Sequence, residues 1–315
     1  MKPDAFEQDV HEVPRRLRQL ADRLEHGEAW PARIASGPLL TGMGSSGYAA
    51  RTTSGWLQAA GVAAVSEVAS ADPGWPGGPG TSAILISASG NSAETLDRSR
   101  RLGAGTQRIA LVNSADSALA LEADAVVEMG AGIESGEVAC RTYRHTLALL
   151  LALGIEPAVV VSGIRAAADR TQQLLDDQGW LAEFDAILSP AAATFWIAPE
   201  SRIGSAQQSA LMVREIPRRL AVACETGDWS HVDVYLTLTM DYRCVMFTGS
   251  RWDGAAATWM TQRRAKTITI GEALDIPGEV NIPLVDDPIA RMLTEPLFAE
   301  LLALAWWRRH PVHVP

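Results

Sequence analysis

Two short segments hold the most readable chemistry in this sequence: Gly42-Met43-Gly44-Ser45-Ser46 and Ser87-Ala88-Ser89-Gly90-Asn91-Ser92. Their glycines let backbone come close to a ligand, their hydroxyls can donate to an anion, and Ser92 can cap a following helix. Taken singly, each reads as an ordinary helix cap. At two consecutive strand ends, turn amides and the helix N-terminus behind them converge on one position, which is a phosphate cradle without a Walker lysine.

Such turns need strands before them and helices after them, and the patterning supplies both. Pro38-Leu39-Leu40 runs into the first turn as a strand, with a helix after it through Trp56; Val62 to Val68 reads as a strand and Asp72 to Gly80 as a Pro/Gly loop. Ala83 to Ser87 is a buried strand leading into the second turn. Helix Ala93 to Leu102, strand Arg108 to Val112, helix Ser117 to Leu121, strand Ala125 to Glu128 and helix Val138 to Leu153 complete a unit. Strands alternating with helices imply a parallel sheet covered on both faces. Before it, Phe6, Val10, Val13, Leu17, Leu20 and Leu24 mark one amphipathic helix over residues 5–25, expected to pack against this unit.

Residues 158–186 read as helical. The pattern then restarts: a strand from Thr194 to Ile197, the turn Ala198 to Ser201, a helix from Gly204 to Glu215, strands at Tyr242 to Thr248, Thr267 to Ile270 and Val280 to Leu284, and a helix from Ile289 to Trp307. This weak internal repeat predicts a domain over residues 1–156, a connector over 157–186 and a second, more divergent domain over 187–315.

Composition narrows the partners. With 315 residues, 47% hydrophobic and 20% charged, the chain can bury two cores. A net charge of −10 offers no broad attraction to nucleic acid or anionic lipid, so an anionic ligand must be gripped locally; a sugar phosphate fits. The first residues, Met1 to Val10, hold no apolar leader and no run approaches a membrane span, which points to the cytoplasm. Cys140, Cys224 and Cys244 fit neither a disulfide framework nor a metal site, and are expected to be reduced and structural. His11, His26, His310 and His313 are expected to face solvent, His145 to be packed, and no His/Cys/carboxylate group has metal-ligand spacing.

Strand-Gly-x-Gly-Ser-Ser followed by strand-Ser-x-Ser-Gly-x-Ser-x-Glu-Thr resembles the SIS (sugar isomerase) family of phosphosugar isomerases, nearest to the two-domain isomerase half of glucosamine-6-phosphate synthase. The likeness runs through Glu67-Val68-Ala69-Ser70, Asn113, Ser117-Leu119-Ala120, Ala123-Asp124, and Glu134 with Val138-Ala139-Cys140-Arg141-Thr142-Tyr143. It implies two tandem SIS domains, each a mostly parallel five-stranded sheet flanked by helices, flavodoxin-like and doubly wound. It also implies that Ser87, Ser89, Gly90, Asn91 and Ser92 hold a sugar phosphate, while Gly44, Ser45, Ser46, Val138 and Ala139 line the sugar.

The second half is less similar. Glu215-Ile216 resembles the family's Lys-Glu-Ile segment, whose glutamate moves a proton between sugar carbons; a solvated glutamate among Arg214, Arg218 and Arg219 is the alternative. Asp228-Trp229-Ser230-His231 resembles Glu-x-x-His-Gly-Pro, whose histidine assists ring opening and can come from a partner subunit; a surface-loop histidine is the alternative. Val232-Asp233 replaces Gly-Pro, and Ala198-Pro199-Glu200-Ser201 replaces a second glycine turn, so no second phosphate is expected. The family's C-terminal imine lysine has no counterpart in Trp306 to Pro315, and the glutaminase half is absent from this sequence. The resemblance implies a cytoplasmic homodimer with shared sites that isomerises or deaminates a hexose phosphate or amino-sugar phosphate, without cofactor or metal. A non-catalytic sensor and a deglycase are the alternatives.

Overall fold

The computed structural model describes residues 2–27, 30, 34–35 and 37–310. The chain opens on two helices rather than one, Pro3–His11 (α1) and Val13–Glu25 (α2). Pro14 accounts for the break: in a continuous helix it would lack an N–H and press its ring on the carbonyl of Val10.

Contacts divide the chain into two compact units, Arg15–Arg165 and Met1–Pro14 with Ala166–Pro315. The first holds β1 (Leu39–Gly42), α3 (Gly44–Ala59), β2 (Val65–Val68), β3 (Ser82–Ser87), α4 (Ala93–Arg101), β4 (Gln107–Val112), α5 (Ala118–Glu122), β5 (Ala125–Glu128) and α6 (Arg141–Leu151). Its sheet runs β2-β1-β3-β4-β5, every pair parallel. Helices α3 and α6 pack together on one face and α4 and α5 on the other, so the central strands are covered twice and every residue of β3 is buried. That double cover explains the unbroken apolar run Ala83-Ile84-Leu85-Ile86.

Helix α7 (Pro157–Asp176) contains the boundary between units, and α8 (Trp180–Leu188) follows. The second unit then builds β6 (Ala193–Ala198), α9 (Ile203–Glu215), β7 (Leu220–Glu225), α10 (Thr226–Trp229), β8 (Arg243–Phe247), α11 (Asp253–Arg263), β9 (Lys266–Ile270), β10 (Val280–Ile282), α12 (Pro288–Thr294) and α13 (Pro296–Arg309). Its order, β10-β9-β8-β6-β7, is the first sheet's order read from the other edge, again wholly parallel. Both sheets therefore have the doubly wound, flavodoxin-like 2-1-3-4-5 arrangement.

Helix α1 packs on α13 in the second unit, not against the first sheet as its position in the chain suggests. Phe6 and Val10 are fully buried there, and Arg308 pairs with Asp4 (2.9 Å) and Glu7 (2.7 Å). Those arginine contacts hold the Glu7 carboxyl below its ordinary range. Strand β7 has no forerunner among the strands expected from sequence. It is an edge strand, exposed at Leu220 and partly open at Val222, Ala223 and Glu225, so it lacks a sharp apolar signature.

Candidate functional site

In a 2-1-3-4-5 sheet the crossovers diverge between the first and third strands, and ligands settle at their carboxyl ends. In the first unit those strands are β1 and β3, hydrogen-bonded neighbours with Gly42 opposite Ile86. The turn to α3 leaves Gly42 and the turn to α4 begins at Ser87, so the two Ser/Gly segments leave neighbouring strand ends side by side. Gly42 permits the approach: a Cβ there would lie 2.8 Å from the Ile86 carbonyl oxygen and 2.7 Å from Ser46 Cβ.

The second turn is internally braced. The Gly90 amide donates to Ser87 O (3.0 Å) and Ser87 Oγ (3.1 Å), and the Asn91 amide donates to Ser89 Oγ (3.2 Å). Gly90 has φ +65, and its carbonyl accepts the Leu119 amide at 2.9 Å, tying the turn to α5. Ser92 caps α4: its Oγ accepts the Thr95 amide at 3.3 Å and donates to Glu94 at 2.9 Å. Hydrogen bonds from its own backbone and from Ser92 keep the exposed Glu94 carboxyl below its ordinary range. Ser87 is buried, Ser45, Ser46 and Ser92 are half-buried, and Gly44, Ser89 and Asn91 are open to solvent.

The Val138-Ala139 segment is positioned by two side chains whose roles were not read from sequence. Glu134 Oε1 accepts the amides of Cys140 (2.8 Å), Arg141 (2.6 Å) and Thr142 (3.2 Å), and Oε2 accepts the Thr142 hydroxyl at 2.6 Å. The carboxylate thereby caps α6 and closes the loop that carries Val138. Asn113 donates to Gly132 O (2.8 Å) and accepts the Ala131 amide (3.0 Å), while its own amide reaches Ala88 O at 3.1 Å. One residue thus links the Val138 loop to the serine turn. The usable signal was an acidic residue a few positions before a helix that lacks a Ser, Thr or Asp cap.

Glu215 and His231 are not brought together. Glu215 ends α9 and precedes the amino end of β7; His231 follows its carboxyl end. The six residues of β7 put roughly 20 Å between them along the strand. Glu215 is half-buried and engaged in an interaction, although Arg219 is committed elsewhere, donating to Ser189 O and Ala191 O (both 2.7 Å) and lying 4.0 Å from the Trp306 ring centroid. His231 lines an open cleft of about 500 Å³ with Glu225, Gly227, Asp228, Ser230, Trp252 and Ala255.

In the second unit the turn after β8 stands where the serine turn stands after β3. There the Gly249 and Ser250 amides donate to the Asp253 carboxylate at 2.6 and 3.0 Å. After β6, Arg202 reaches Thr248 O and pairs with Glu295 at 2.9 Å, both side chains buried. Protein groups here take up donors that an anion would need.

Other expectations find their places. Burial pushes the thiols of Cys224 and Cys244 up to about 12, so they stay protonated. His145 is buried, with Nδ1 2.9 Å from Met129 O, and burial lowers it to about 4. His11, His26 and His310 are exposed; His313 lies outside the described residues. Trp306 and Trp307, for which the sequence suggested no role, are buried in α13. Among the described residues no helix is long and apolar enough to cross a membrane, and no group of three His, Cys, Asp or Glu side chains could hold a metal ion.

Against this geometry stands the comparison with known proteins. The SIS domain model matches residues 38–156. The chain is 28% identical over 153 residues to a glutamine–fructose-6-phosphate aminotransferase of Methanothermobacter thermautotrophicus, covering 48% of this chain and 26% of that protein. The chain thus spans about a quarter of that relative's length. Both units together resemble tagatose-6-phosphate ketose/aldose isomerase from Escherichia coli, with a TM-score of 0.81, 18% identity, and 98% and 93% of the two chains covered. They also resemble the C-terminal domain of glucosamine-fructose-6-phosphate aminotransferase from Francisella tularensis, with a TM-score of 0.75, 16% identity and 96% of each chain covered. At such identities the likeness is one of fold: two tandem, doubly wound, SIS-like subdomains, each a parallel five-stranded sheet flanked by helices.

Proposed function

We propose that this protein binds a hexose phosphate or amino-sugar phosphate in the first unit and moves a proton between adjacent carbons of the opened sugar. The observation that carries the reading is the meeting of two Ser/Gly turns at the carboxyl ends of the paired strands β1 and β3. Ser87, Ser89 and Ser92 hold the phosphate on the turn that Gly90 and Asn91 shape, for which Ser92 must turn its proton from Glu94. Gly44, Ser45, Ser46, Val138 and Ala139 line the sugar.

His231 assists ring opening. The Glu215 carboxylate takes the proton from the carbon beside the carbonyl, the released electron pair forms the enediol or enolamine double bond, and the carbonyl oxygen takes up a proton from solvent; the Glu215 carboxyl then returns its proton to the former carbonyl carbon while the hydroxyl or amino group on the first carbon gives a proton back to solvent, which forms the new carbonyl or imine. Only protons move, so no cofactor is required. Because the two residues lie at opposite ends of one sheet, a site using both draws them from two chains, in a homodimer that we place in the cytoplasm.

The test follows the sugar C–H by NMR in D2O, with fructose 6-phosphate, glucose 6-phosphate and glucosamine 6-phosphate supplied separately. Exchange beside the carbonyl is expected in the wild type and absent in Glu215→Gln. Mixing inactive Glu215→Gln and His231→Ala chains should restore about a quarter of wild-type activity, since half of the random dimers regain one intact site. Full turnover in Glu215→Gln would reject the base. A second reading, a non-catalytic sugar-phosphate sensor, is favoured by Val232-Asp233 where isomerases have Gly-Pro; binding shifts without exchange for all three sugars would select it.

A further inference from the structure

The turn after β3 and the turn after β8 are each followed by a helix with one acid in its first turn, Glu94 in α4 and Asp253 in α11. Both acids take donors of the turn, but on different terms. Asp253 is buried and accepts the Gly249 and Ser250 amides at 2.6 and 3.0 Å. Glu94 is exposed, and its carboxylate takes its own backbone amide and the Ser92 hydroxyl. Each turn therefore holds a carboxylate at a helix N-terminus, where an anion is favoured. In the second unit that carboxylate is enclosed; in the first it stands in solvent.

The three serines of the first turn differ as donors. Ser87 Oγ accepts the Gly90 amide and Ser89 Oγ the Asn91 amide, and among the described residues neither hydroxyl gives its proton to another protein group. Ser92 Oγ is saturated. A hydroxyl has one proton and two acceptor sites; here the sites take the Thr95 amide (3.3 Å) and the Thr95 hydroxyl (3.1 Å), and the proton goes to Glu94 Oε2 (2.9 Å). A phosphate arriving at the turn finds two serine protons ready and the third held by a negative charge.

We infer that Glu94 is a resident competitor at the serine turn, a carboxylate that a sugar phosphate displaces from Ser92, and that it sets how tightly and how salt-dependently the turn holds an anion. This rests on the phosphate reading proposed above and names the residue that governs it. The Glu94 amide and Ser92 hold the carboxyl below its ordinary range, so the competing charge is present at neutral pH. Displacement is feasible because Glu94 is open to water, and a phosphate brings more charge and more acceptor oxygens than the carboxylate it replaces.

Calorimetry tests this with the full chain at neutral pH and low salt, using inorganic phosphate, glucose 6-phosphate, fructose 6-phosphate and glucosamine 6-phosphate as separate probes. Glu94→Gln should bind the sugar phosphates about tenfold more tightly than wild type, since a unit negative charge leaves the turn. Glu94→Ala, which frees the Ser92 proton outright, should gain at least as much. In about 0.5 M salt the advantage should shrink to about twofold, because screening weakens a repulsion between exposed charges. Circular dichroism confirms that both variants are folded. If the probes bind and Glu94→Gln binds them no more tightly, or more weakly, the inference is overturned while the phosphate reading stands. A gain indifferent to salt would also overturn it, as the mark of a structural role for Glu94. If no probe binds wild type or either variant, the phosphate reading falls and the inference falls with it.

Discussion

Replacing Gly90 by Ala tests whether the serine turn is as tightly built as its geometry says. Gly90 has φ +65, in the left-handed region, and a Cβ there would stand 2.0 Å from Ser117 Oγ and 2.3 Å from Ser117 Cβ. The backbone conformation alone costs an alanine about 1–2 kcal/mol. The overlap adds about 1–3 kcal/mol, because Ser117 belongs to the start of α5 and cannot retreat without moving it. Gly90→Ala should therefore lose roughly 3 kcal/mol in urea denaturation and weaken sugar-phosphate binding as the turn shifts.

The second half of the cycle separates the two causes. Ser117 is buried, makes no side-chain cap to α5, and its hydroxyl has no partner among the described residues, so Ser117→Gly forfeits little. In Gly90→Ala/Ser117→Gly both clashing atoms are gone and only the conformational cost of about 1–2 kcal/mol should remain. The coupling between sites then measures the overlap. A Gly90→Ala protein within about 0.5 kcal/mol of wild type, or a double variant no better than the single, would refute the reasoning.

Three further predictions rest on separate parts of the chain. Glu134→Ala removes the acceptor of three backbone amides and one hydroxyl and should cost about 2–4 kcal/mol by urea denaturation, with Glu134→Gln costing less. Phe6→Ala should cost about 3–5 kcal/mol, and hydrogen exchange should quicken in α13 while β1 to β5 keep their protection. His145 lies near 4 when folded against 6.5 as an ordinary value, so the unfolded chain binds more protons in that interval. Its contribution is absent above pH 6.5 and grows as a penalty as pH falls towards 4, reaching about 3 kcal/mol; in His145→Gln that slope of stability against pH should flatten.

The serine turns were legible in sequence because their signal is local: hydroxyls, glycines and an apolar strand lie within a few residues of each other. The destination of α1 was not, since the stripe Phe6-Val10 states that a face is buried but not against what, and Pro14 cut the helix that seemed to continue it. Strand β7 escaped notice for a related reason. An edge strand covered in part on both faces presents mixed residues such as Leu220-Ala221-Val222-Ala223-Cys224-Glu225, which carry little periodicity. Asp253 was unreadable as a turn occupant, because an Asp at a helix start usually signals a cap, and only the parallel roles of β3 and β8 give it a second meaning.

Missing β7 also concealed the strongest constraint on mechanism. In the linear sequence Glu215 and His231 look like a pair at short spacing, and a family resemblance invites placing both around one sugar. With a strand between them, one residue enters β7 and the other leaves it, and roughly 20 Å of extended chain separates them. A general base works within about 3 Å of the proton it takes, or through one water, so neither side chain can cover that gap by changing rotamer. A mechanism that uses both on one hexose therefore commits to two chains, and it does so from the length of a strand rather than from any relative's assembly. A protein that proved active as a dilute monomer would have to dispense with one of the two.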